Sequence, residues 1–429
     1  MRGGTSKGLF FHHRDMPKNE QHRNALLLRA LGSPDPYGKQ IDGLGGATSS
    51  TSKAVIIGPS NHKDCDIDYL FAHIAIDQPL VDLSGNCGNL TAAAAVFAVE
   101  EGYVKSTNAG HVTVRIWQKN LNQRIDADVP LAAISQLDST NRPKLRKPSA
   151  LGLKNVLNFL PRASQRVSDN SSGAQASSLE LGQISELDQG QVQINGDLEI
   201  AGLPWPGAEI KLRFLQPGGA ITGKLLPSGN IVDRISLAQY GEFEVSMVDA
   251  GNPCVFIEAA QLGLSGREIA DDPAIQPFIY QILEAIRAHC AVIMGLSETA
   301  EQATKSRPGT PKIVFIAKPA DYRSSNGSII KRKQCDILAR IVSMGKLHHA
   351  YTGTGAIATV VASHIPGSIV SRHCTAKKRG SLLIGHNAGV MPANVEIGQV
   401  FGKPQVISAG ISRTARRLME GNVLLPSFK

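Results

Sequence analysis

The sequence predicts an α+β protein built from two similar halves, and three observations support this prediction. Short β-rich runs recur along the chain, separated by the Gly, Pro, Asn and Asp residues that are typical of turns. Helical patterns are few. One arrangement of a strand-opening turn and a helix-opening turn occurs twice, and 429 residues are enough for two domains of ordinary size.

The predicted elements follow from local patterns taken in chain order. Seven β-rich runs are interpreted as strands, namely KAVIIG, HVTVRIW, GQVQI, EIKLRFL, GEFEVSMV, KIVFIA and GSLLIGH. Helical periodicity occurs over residues 20–31, 90–101, 277–294, 333–343 and 356–363. Residues 162–191 are rich in Ser, Gln, Asp and Gly with weak periodicity, which predicts a solvated insertion.

The repeat consists of two matched pairs of segments. GGTSKGLFFH and DAGNPCVFIEA each place glycines and small polar residues before an apolar strand, and GNCGNLTAAAAVFAV and YTGTGAIATVVAS each open a small-residue helix. Single glycine-rich turns before helices are common, but two pairs in the same order favour an internal duplication. We therefore predict domains at residues 1–235 and 236–429 with a cleft between them, the last segment returning to the first domain.

The composition narrows the classes of partner. The net charge of +9 fits nucleic acid, an anionic membrane surface or a small polyanionic substrate. Aromatic residues make up only 5% of the chain, so no base-stacking surface and no nucleic-acid partner are predicted. No stretch approaches the roughly 20 consecutive apolar residues of a membrane span, so no membrane partner is predicted.

The cysteines and histidines indicate a reduced protein without a metal. The six cysteines show no CxxC spacing, and no His, Asp or Glu spacing is typical of a metal site. This pattern fits free thiols in a reducing compartment, so we predict a cytoplasmic protein.

The segment GNCGNLTAAAAVFAVEEG, residues 85–102, places Cys87 between Gly and Asn pairs at the start of an alanine-rich helix. Gly and Asn adopt left-handed backbone conformations readily, so the chain can turn sharply and leave the first helical amides free. A helix N-terminus binds anions and lowers the pKa of a thiol. Cys87 is therefore a candidate anion-site and acid–base residue, the alternative being a compact residue buried in a turn.

Two further turns suit a site for carboxylates. TGTGAIATVVAS repeats the helix-opening turn with Thr352 where a second thiol would stand, and two opposed helix N-termini would hold a substrate with several carboxylates. GLGGATSSTSKAVII, residues 43–57, lacks the GxxxxGK[ST] spacing of a phosphate loop. Its hydroxyls and amides, with Lys53, Arg2 and Lys7 as cations, suit carboxylates, although each lysine alone also fits a solvated surface position.

The predicted substrate contacts are the polar and glycine positions of these turns and of the turns GKLLPSGN and DAGNPC. They are Arg2, Thr5, Ser6, Lys7, Ser50, Ser52, Asn86, Gly88, Asn89, Lys224, Asn252, Thr352, Gly353 and Thr354.

Taken together, these motifs resemble a known family. MRGGTSKGLFF, GGATSSTSKAVII, SGNCGNLTAAAAVFA, GKLLPSGN, DAGNPCVFI, SMGKLHHAYTGTGAIAT and SRTARRLMEG occur in the order found in the 2-methylaconitate cis–trans isomerase family, with its oxalomesaconate, methylitaconate and aconitate isomerase relatives. The resemblance covers essentially the whole chain. It implies a diaminopimelate epimerase-like fold, with two pseudo-symmetric domains that each wrap a β-barrel-like sheet around a central helix.

The resemblance also implies an activity and its residues. Members move a proton on an unsaturated di- or tricarboxylate without a cofactor, and the family's catalytic lysine and cysteine fall on Lys53 and Cys87. The second thiol of the epimerases falls near Thr352, which favours an allylic isomerase over a two-thiol racemase. HNAG at residues 386–389 stands where HPSG is expected, which removes one serine hydroxyl from the expected carboxylate contacts.

Two other functions stay open at the level of sequence. A non-catalytic or degenerate polycarboxylate-binding relative is the main alternative. Amino-acid epimerisation would need a second thiol facing Cys87, for which Cys254 is the candidate. The direction of proton transfer between Lys53 and Cys87 is unassigned, and a homodimer is an open alternative to a monomer.

Overall fold

A computed structural model describes residues 1–105, 110–132, 191–269, 272–376, 380–400 and 403–425. The predicted insertion at residues 162–191 lies outside the described residues except for Gln191. No helix in the described ranges is long and apolar enough to span a bilayer.

The helices that the structure describes are α1 (Glu20–Leu31), α2 (Gly88–Glu100), α3 (Pro277–Ile293), α4 (Ala300–Ser306), α5 (Gly353–Ser363) and α6 (Ile369–His373), with single 3-10 turns at His13–Asp15, Ala259–Leu262 and Arg332–Gln334.

The strands are β1 (Arg2–Gly3), β2 (Ser6–Lys7), β3 (Leu9–His12), β4 (Lys53–Pro59), β5 (Ile67–Ile74), β6 (Val81–Asp82), β7 (His111–Gln118), β8 (Gln123–Pro130), β9 (Ile210–Leu215), β10 (Asp233–Leu237), β11 (Gly241–Ala250), β12 (Asn252–Glu258), β13 (Lys312–Ala317), β14 (Tyr322–Arg323), β15 (Ile329–Ile330), β16 (Ile337–Ser343), β17 (Lys346–Leu347), β18 (Ser381–His386), β19 (Gly389–Val400), β20 (Lys403–Arg413) and β21 (Ala415–Arg416).

One sheet runs through both halves and repeats its own pairing pattern. In the first half, β3 pairs in parallel with β4, β4 antiparallel with β5, β5 in parallel with β7, and β7, β8 and β9 antiparallel in turn. In the second half, β12, β13, β16, β18, β19 and β20 follow the same sequence of parallel and antiparallel pairings. The two sets meet where β20 pairs antiparallel with β9. This order confirms the α+β fold with two similar halves.

Each half wraps its sheet around one buried helix. Residues 88–99 of α2 and 353–362 of α5 are all buried. Helices buried on every side need small or apolar residues all round, which explains the four consecutive alanines at 92–95 and the run GAIATVVA. Both helices share one hydrophobic core with strands of both halves.

A second pair of helices covers the outer faces of the sheet. α1 packs Leu27, Ala30 and Leu31 against β4 and β5 in the first half. α3 packs Ile282, Leu283 and Ile286 against β11 to β13 in the second. The sheet is therefore covered on both sides, in agreement with the burial of every residue of β16 and of all but the last residue of β12.

The predicted helix at residues 333–343 is wrong. The chain forms a 3-10 turn at Arg332–Gln334 and then strand β16, Ile337–Ser343, whose seven residues are all buried. β16 lies between β13 and β18, where β-branched Ile337, Ile341 and Val342 pack well. A short apolar run has no periodicity that separates a buried strand from a buried helix, so the sequence pattern misled.

Among the described residues, the predicted strand GQVQI forms only an isolated bridge, between Val192 and Leu131.

The C-terminal segment contacts the first half of the chain. β21 pairs with β1, and Val423 and Leu425 pack against the core beneath α1. The domain boundary between residues 235 and 236 stays a prediction.

The helices α2 and α5 meet at their N-termini through glycines. A Cβ added at Gly88 would lie 2.9 Å from the Thr354 nitrogen, and one at Gly353 would lie 2.9 Å from the Gly88 carbonyl carbon. Both neighbours are backbone atoms that cannot rotate away. The contact therefore requires glycine at both positions.

Replacing Gly88 by Ala should lower the free energy of unfolding by about 1–3 kcal/mol, because the added methyl group overpacks this contact. Alanine would stabilise an unobstructed helix by up to roughly 1 kcal/mol, so the sign of the effect is diagnostic. Denaturant unfolding measures the change in the free energy of unfolding, and Gly353→Ala should be destabilised to a similar extent. Gln21→Ala on the exposed face of α1 is the control, and a Gly88→Ala variant as stable as the parent would contradict the contact.

Candidate active site

Three elements of the first half bring a thiol, an ammonium group and a hydroxyl together. Lys53 opens β4, Cys87 precedes α2, and Ser6 begins β2. The Lys53 Nζ donates to Cys87 Sγ at 3.3 Å and to Ser6 Oγ at 3.0 Å. Lys53 is 6% and Cys87 7% exposed, so the pair interacts largely out of water. The two residues expected from the sequence to act together are thus in direct contact.

Cys87 occupies the N-cap position of α2. Its carbonyl oxygen is held by the Thr91 hydroxyl at 3.1 Å and the Tyr69 hydroxyl at 3.3 Å. At the equivalent N-cap of α5, Thr352 Oγ1 accepts a hydrogen bond from the Gly355 N–H at 3.1 Å. Thr352 therefore performs an ordinary capping role. The sulfur of Cys87 remains directed to Lys53.

The pKa of Cys87 is set by opposing effects. Burial alone would raise it, but the Lys53 ammonium, the Leu90 backbone N–H and the Ser6 hydroxyl outweigh burial and lower the pKa below the usual thiol value. Each of these groups favours the thiolate by charge or by donation. By contrast, burial raises the pKa of Cys254 to about 12, which keeps that thiol protonated.

Asn89 joins the first turn of α2 to the N-terminal loop and to a buried arginine. Its Nδ2 donates to Thr5 Oγ1 at 3.1 Å and lies 3.4 Å from Ser6 Oγ, while its Oδ1 accepts from Arg413 Nε at 2.8 Å. Arg413 is 3% exposed, and burial lowers its pKa to about 10. Sequence reasoning did not single out Arg413, although it lies in the quoted motif SRTARRLMEG.

Ser50 connects the two halves through a histidine pair. Its Oγ lies 3.1 Å from His348 Nε2 and 3.0 Å from His349 Nδ1. His348 Nδ1 accepts from the Ala350 N–H, so Nε2 carries the hydrogen and donates to Ser50. Burial holds the pKa of His348 well below its ordinary value, with further lowering by His349 and Lys53. His348 is therefore a neutral donor.

Several buried side-chain atoms near the abutting helices have no hydrogen-bond partner among the described residues. They are both amide atoms of Asn86, Nδ2 of Asn252, Oγ1 of Thr310 and Oγ1 of Thr354. Asn252 Oδ1 accepts from the Asn86 N–H at 3.2 Å, which ties the two asparagines together. Buried polar groups without partners are costly, so their concentration here indicates a polar ligand.

Lys312 is a buried lysine that sequence reasoning missed. It opens β13 as Lys53 opens β4. The repeat that aligned Thr352 with Cys87 would have found Lys312 if it had been extended to the segments KAVIIG and KIVFIA. Burial lowers the pKa of Lys312 below its usual value, and the nearby charge of Lys53 lowers it further. Cys254 and Cys87 act in the opposite direction and raise this pKa. Lys312 therefore shares the electrostatic environment of the Lys53–Cys87 pair.

Other predicted contacts lie apart from this cluster. Lys7 and Lys224 are exposed. Arg2 donates to the Thr414 carbonyl and hydroxyl oxygens, both at 2.5 Å. Ser52 donates to the Ile74 carbonyl oxygen at 2.8 Å and accepts from Gln40 Nε2. The substrate roles of these four residues stay predictions.

In the HNAG segment, Asn387 forms a hydrogen bond with the backbone of His348. Its Nδ2 donates to the His348 carbonyl oxygen at 2.8 Å, and its Oδ1 has no partner among the described residues. Ala388 occupies the position of the expected serine, and the Asn387 amide, one residue earlier, lies beside the Ser50–His348 link. Within the described ranges, no group of three or more His, Cys, Asp or Glu residues is arranged to hold a metal.

Comparison with known proteins gives the family. The family described as PrpF protein matches residues 1–146 and 181–426, so this chain belongs to that family. The chain is 39% identical to a 2-methyl-aconitate isomerase of Shewanella oneidensis, covering 99% of this chain and 96% of the relative. It is 34% identical to a 3-methylitaconate isomerase of Eubacterium barkeri, covering 100% of this chain and 97% of the relative.

A solved structure supports the same assignment. The crystal structure of a methylitaconate-delta-isomerase matches with a TM-score of 0.68 and 33% identity, covering 98% of this chain and 92% of that one. The likeness spans both halves, and the chain is therefore an isomerase of the PrpF family.

Replacing Lys53 by Met should raise the pKa of Cys87, because the ammonium group that favours the thiolate is lost. The rate of Cys87 alkylation by iodoacetamide, followed by peptide mass spectrometry, should reach its midpoint at higher pH in the variant than in the parent. Cys65, whose pKa is raised by burial, is the internal control and should keep its profile. An unchanged Cys87 midpoint would show that Lys53 does not stabilise the thiolate.

Proposed function

We propose that this chain moves a proton on an unsaturated di- or tricarboxylate of the aconitate or methylaconitate type, by cis–trans or allylic double-bond isomerisation. One observation carries the proposal: Cys87 Sγ lies 3.3 Å from Lys53 Nζ, at the N-terminus of a helix that abuts its counterpart from the other half. The names of the relatives, a 2-methyl-aconitate isomerase and a 3-methylitaconate isomerase, support this substrate class.

The charges around the pair suit a substrate with several carboxylates. The N-termini of α2 and α5 bring partial positive charges together, and Lys53, Lys312 and Arg413 add buried cations. The neutral His348, the Asn86 amide and Asn252 Nδ2 supply or accept hydrogen bonds without adding negative charge, and these amide atoms have no partner among the described residues. An anion at this place would satisfy both the charge and the donors.

The first chemical step uses the thiolate–ammonium form of the pair. The Cys87 thiolate takes a proton from the carbon next to the double bond, and the electron pair of that C–H bond moves into the conjugated carboxylate as a dienolate. Oriented amides and ammonium groups stabilise the developing negative charge, which is usually among the largest contributions to such catalysis.

The second step returns a proton and shifts or turns the double bond. Lys53 donates an Nζ proton to the dienolate carbon, which leaves a neutral amine beside a neutral thiol. The thiol proton then passes to the amine across 3.3 Å and restores the starting form. The pair thus exchanges the roles of base and acid, and every step transfers only protons and electron pairs. The reaction as proposed requires no cofactor.

We propose the cytoplasm as its location, because the six cysteines are free thiols, two of them only partly buried. A homodimer stays a prediction.

Replacing Lys53 or Cys87 by Ala should reduce isomerase activity by about 10²–10⁴-fold, because each removes one proton-transfer group. The measurement is deuterium incorporation from D₂O into cis-aconitate, 2-methylaconitate and itaconate, followed by NMR. Lys318→Ala and Cys65→Ala are matched controls outside the cluster and should exchange at the parental rate.

Circular dichroism should show that both active-site variants remain folded. Full activity in either variant would refute the assignment of the pair. Tight binding of these acids by the parent without any exchange would instead indicate a polycarboxylate-binding protein.

A further inference from the structure

Lys312 occupies the position in the second half that Lys53 occupies in the first. Lys53 opens β4, which pairs in parallel with β3 and antiparallel with β5, and Lys312 opens β13, which pairs in parallel with β12 and antiparallel with β16. In each half, the helix whose N-terminus meets that of the other half follows that antiparallel neighbour and a two-residue strand. The duplicated topology therefore directs one lysine from each half to the region where α2 and α5 meet.

The ammonium group of Lys312 is buried without an ion-pair partner. Its side chain is 7% exposed, and Nζ donates to the Gly309 carbonyl oxygen at 3.1 Å and to Ser343 Oγ at 3.4 Å. No ion pair within the described part of the chain includes Lys312. An ammonium group has three hydrogens to donate, so one donor is left.

The nearby carboxylate of Asp82 is already engaged by the backbone. Its Oδ2 accepts from the Gly309 N–H at 3.0 Å and its Oδ1 accepts from the Ser84 N–H at 2.8 Å. Asp82 therefore stabilises the turn that holds Gly309, and its charge favours the ammonium form of Lys312 from a distance.

Hydrogen-bond donors without a partner among the described residues lie against the turn that precedes Cys87. A Cβ added at Gly85 would lie 2.6 Å from Thr310 Oγ1 and 3.1 Å from Asn252 Nδ2, so these atoms lie against that turn. Neither atom has a partner among the described residues, and the same holds for the amide of Asn86. Thr310 is 0%, Asn252 1% and Asn86 4% exposed.

We propose that Lys312, with Thr310, Asn252 and Asn86, forms a subsite that binds one carboxylate of the substrate, next to the turn that carries Cys87. A hydroxyl, two amide groups and an ammonium group are donors that a carboxylate accepts well. Two lysines from the two halves then fix the substrate at two carboxylates and orient the reacting carbon toward Cys87. The proposal rests on the function proposed above.

The test compares Lys312→Met with the parent by calorimetry, using cis-aconitate and three acids that each lack a different carboxylate of it: itaconate, citraconate and glutaconate. Loss of a buried charged hydrogen bond should weaken cis-aconitate binding by about 10- to 100-fold. For the one dicarboxylate that lacks the carboxylate held by Lys312, the variant and the parent should bind alike. The other two acids should show the loss.

Three further variants separate binding from folding. Lys318→Met, at the exposed end of the same segment, should leave all four affinities unchanged. Lys312→Arg keeps the charge and should recover part of the loss. Thr310→Val removes an oxygen without a partner among the described residues, so it should keep the fold and weaken cis-aconitate binding by about 2- to 10-fold.

The outcomes distinguish the subsite from the reaction. Unchanged cis-aconitate binding by Lys312→Met, or an equal loss for all four acids, would overturn the subsite even if the parent isomerises its substrate. If Lys312→Met shows the selective loss of binding but the parent incorporates no deuterium, the subsite would be supported and the isomerisation refuted. If the parent binds none of these acids, both proposals fail.

Discussion

The contact between the N-termini of α2 and α5 is the constraint on which the site depends. Gly88 and Gly353 allow the two backbones to touch, and a side chain at either would collide with main-chain atoms of the other. Two helix N-termini in contact bring their positive ends together in a buried place, which is unfavourable unless a negative charge lies there. A thiolate and a polycarboxylate are both suited to supply that charge. The all-buried surfaces of both helices and the sheet wrapped around them hold this arrangement in place.

The two halves share a fold but differ in the residue at the N-cap of their central helix. In the first half the N-cap residue is Cys87, whose sulfur faces Lys53; in the second it is Thr352, whose hydroxyl caps its own helix. The lysine, in contrast, is present in both halves. In the proposed reaction, the first half supplies the proton-transfer pair, and the second half supplies a cation with hydrogen-bond donors. This asymmetry fits proton relocation on a substrate bound in one orientation better than a racemase, which would need two opposed thiols.

Burial lowers the pKa of the histidines that surround the Lys53–Cys87 pair and keeps them neutral. His73 and His348 lie in the same positive environment as Lys53 and Lys312, and burial holds the pKa of both histidines well below the ordinary value. They serve as neutral hydrogen-bonding groups, so the cationic character of the site comes from lysine and arginine. Burial alone would also keep Cys87 protonated, and only the ammonium of Lys53 and the oriented donors reverse that effect. The thiol and the lysine therefore function as a unit.

The sequence alone determined the α+β class, the internal duplication and the helix-opening turn around Cys87, because these follow from local backbone preferences and from the spacing of apolar residues. It also pointed, through the family's motifs, to Lys53 as the partner. It mistook the buried strand Ile337–Ser343 for a helix, because a short, mostly apolar segment has no period that separates a buried strand from a buried helix. Only the tertiary structure decided that Lys312, Thr310 and Arg413 belong near the site and that Lys7 and Lys224 are exposed. The placement of the buried residues depends on contacts between distant parts of the chain, such as Asn86 with Asn252 and Asn89 with Arg413, which are 166 and 324 residues apart. Local sequence patterns carry no information about such contacts.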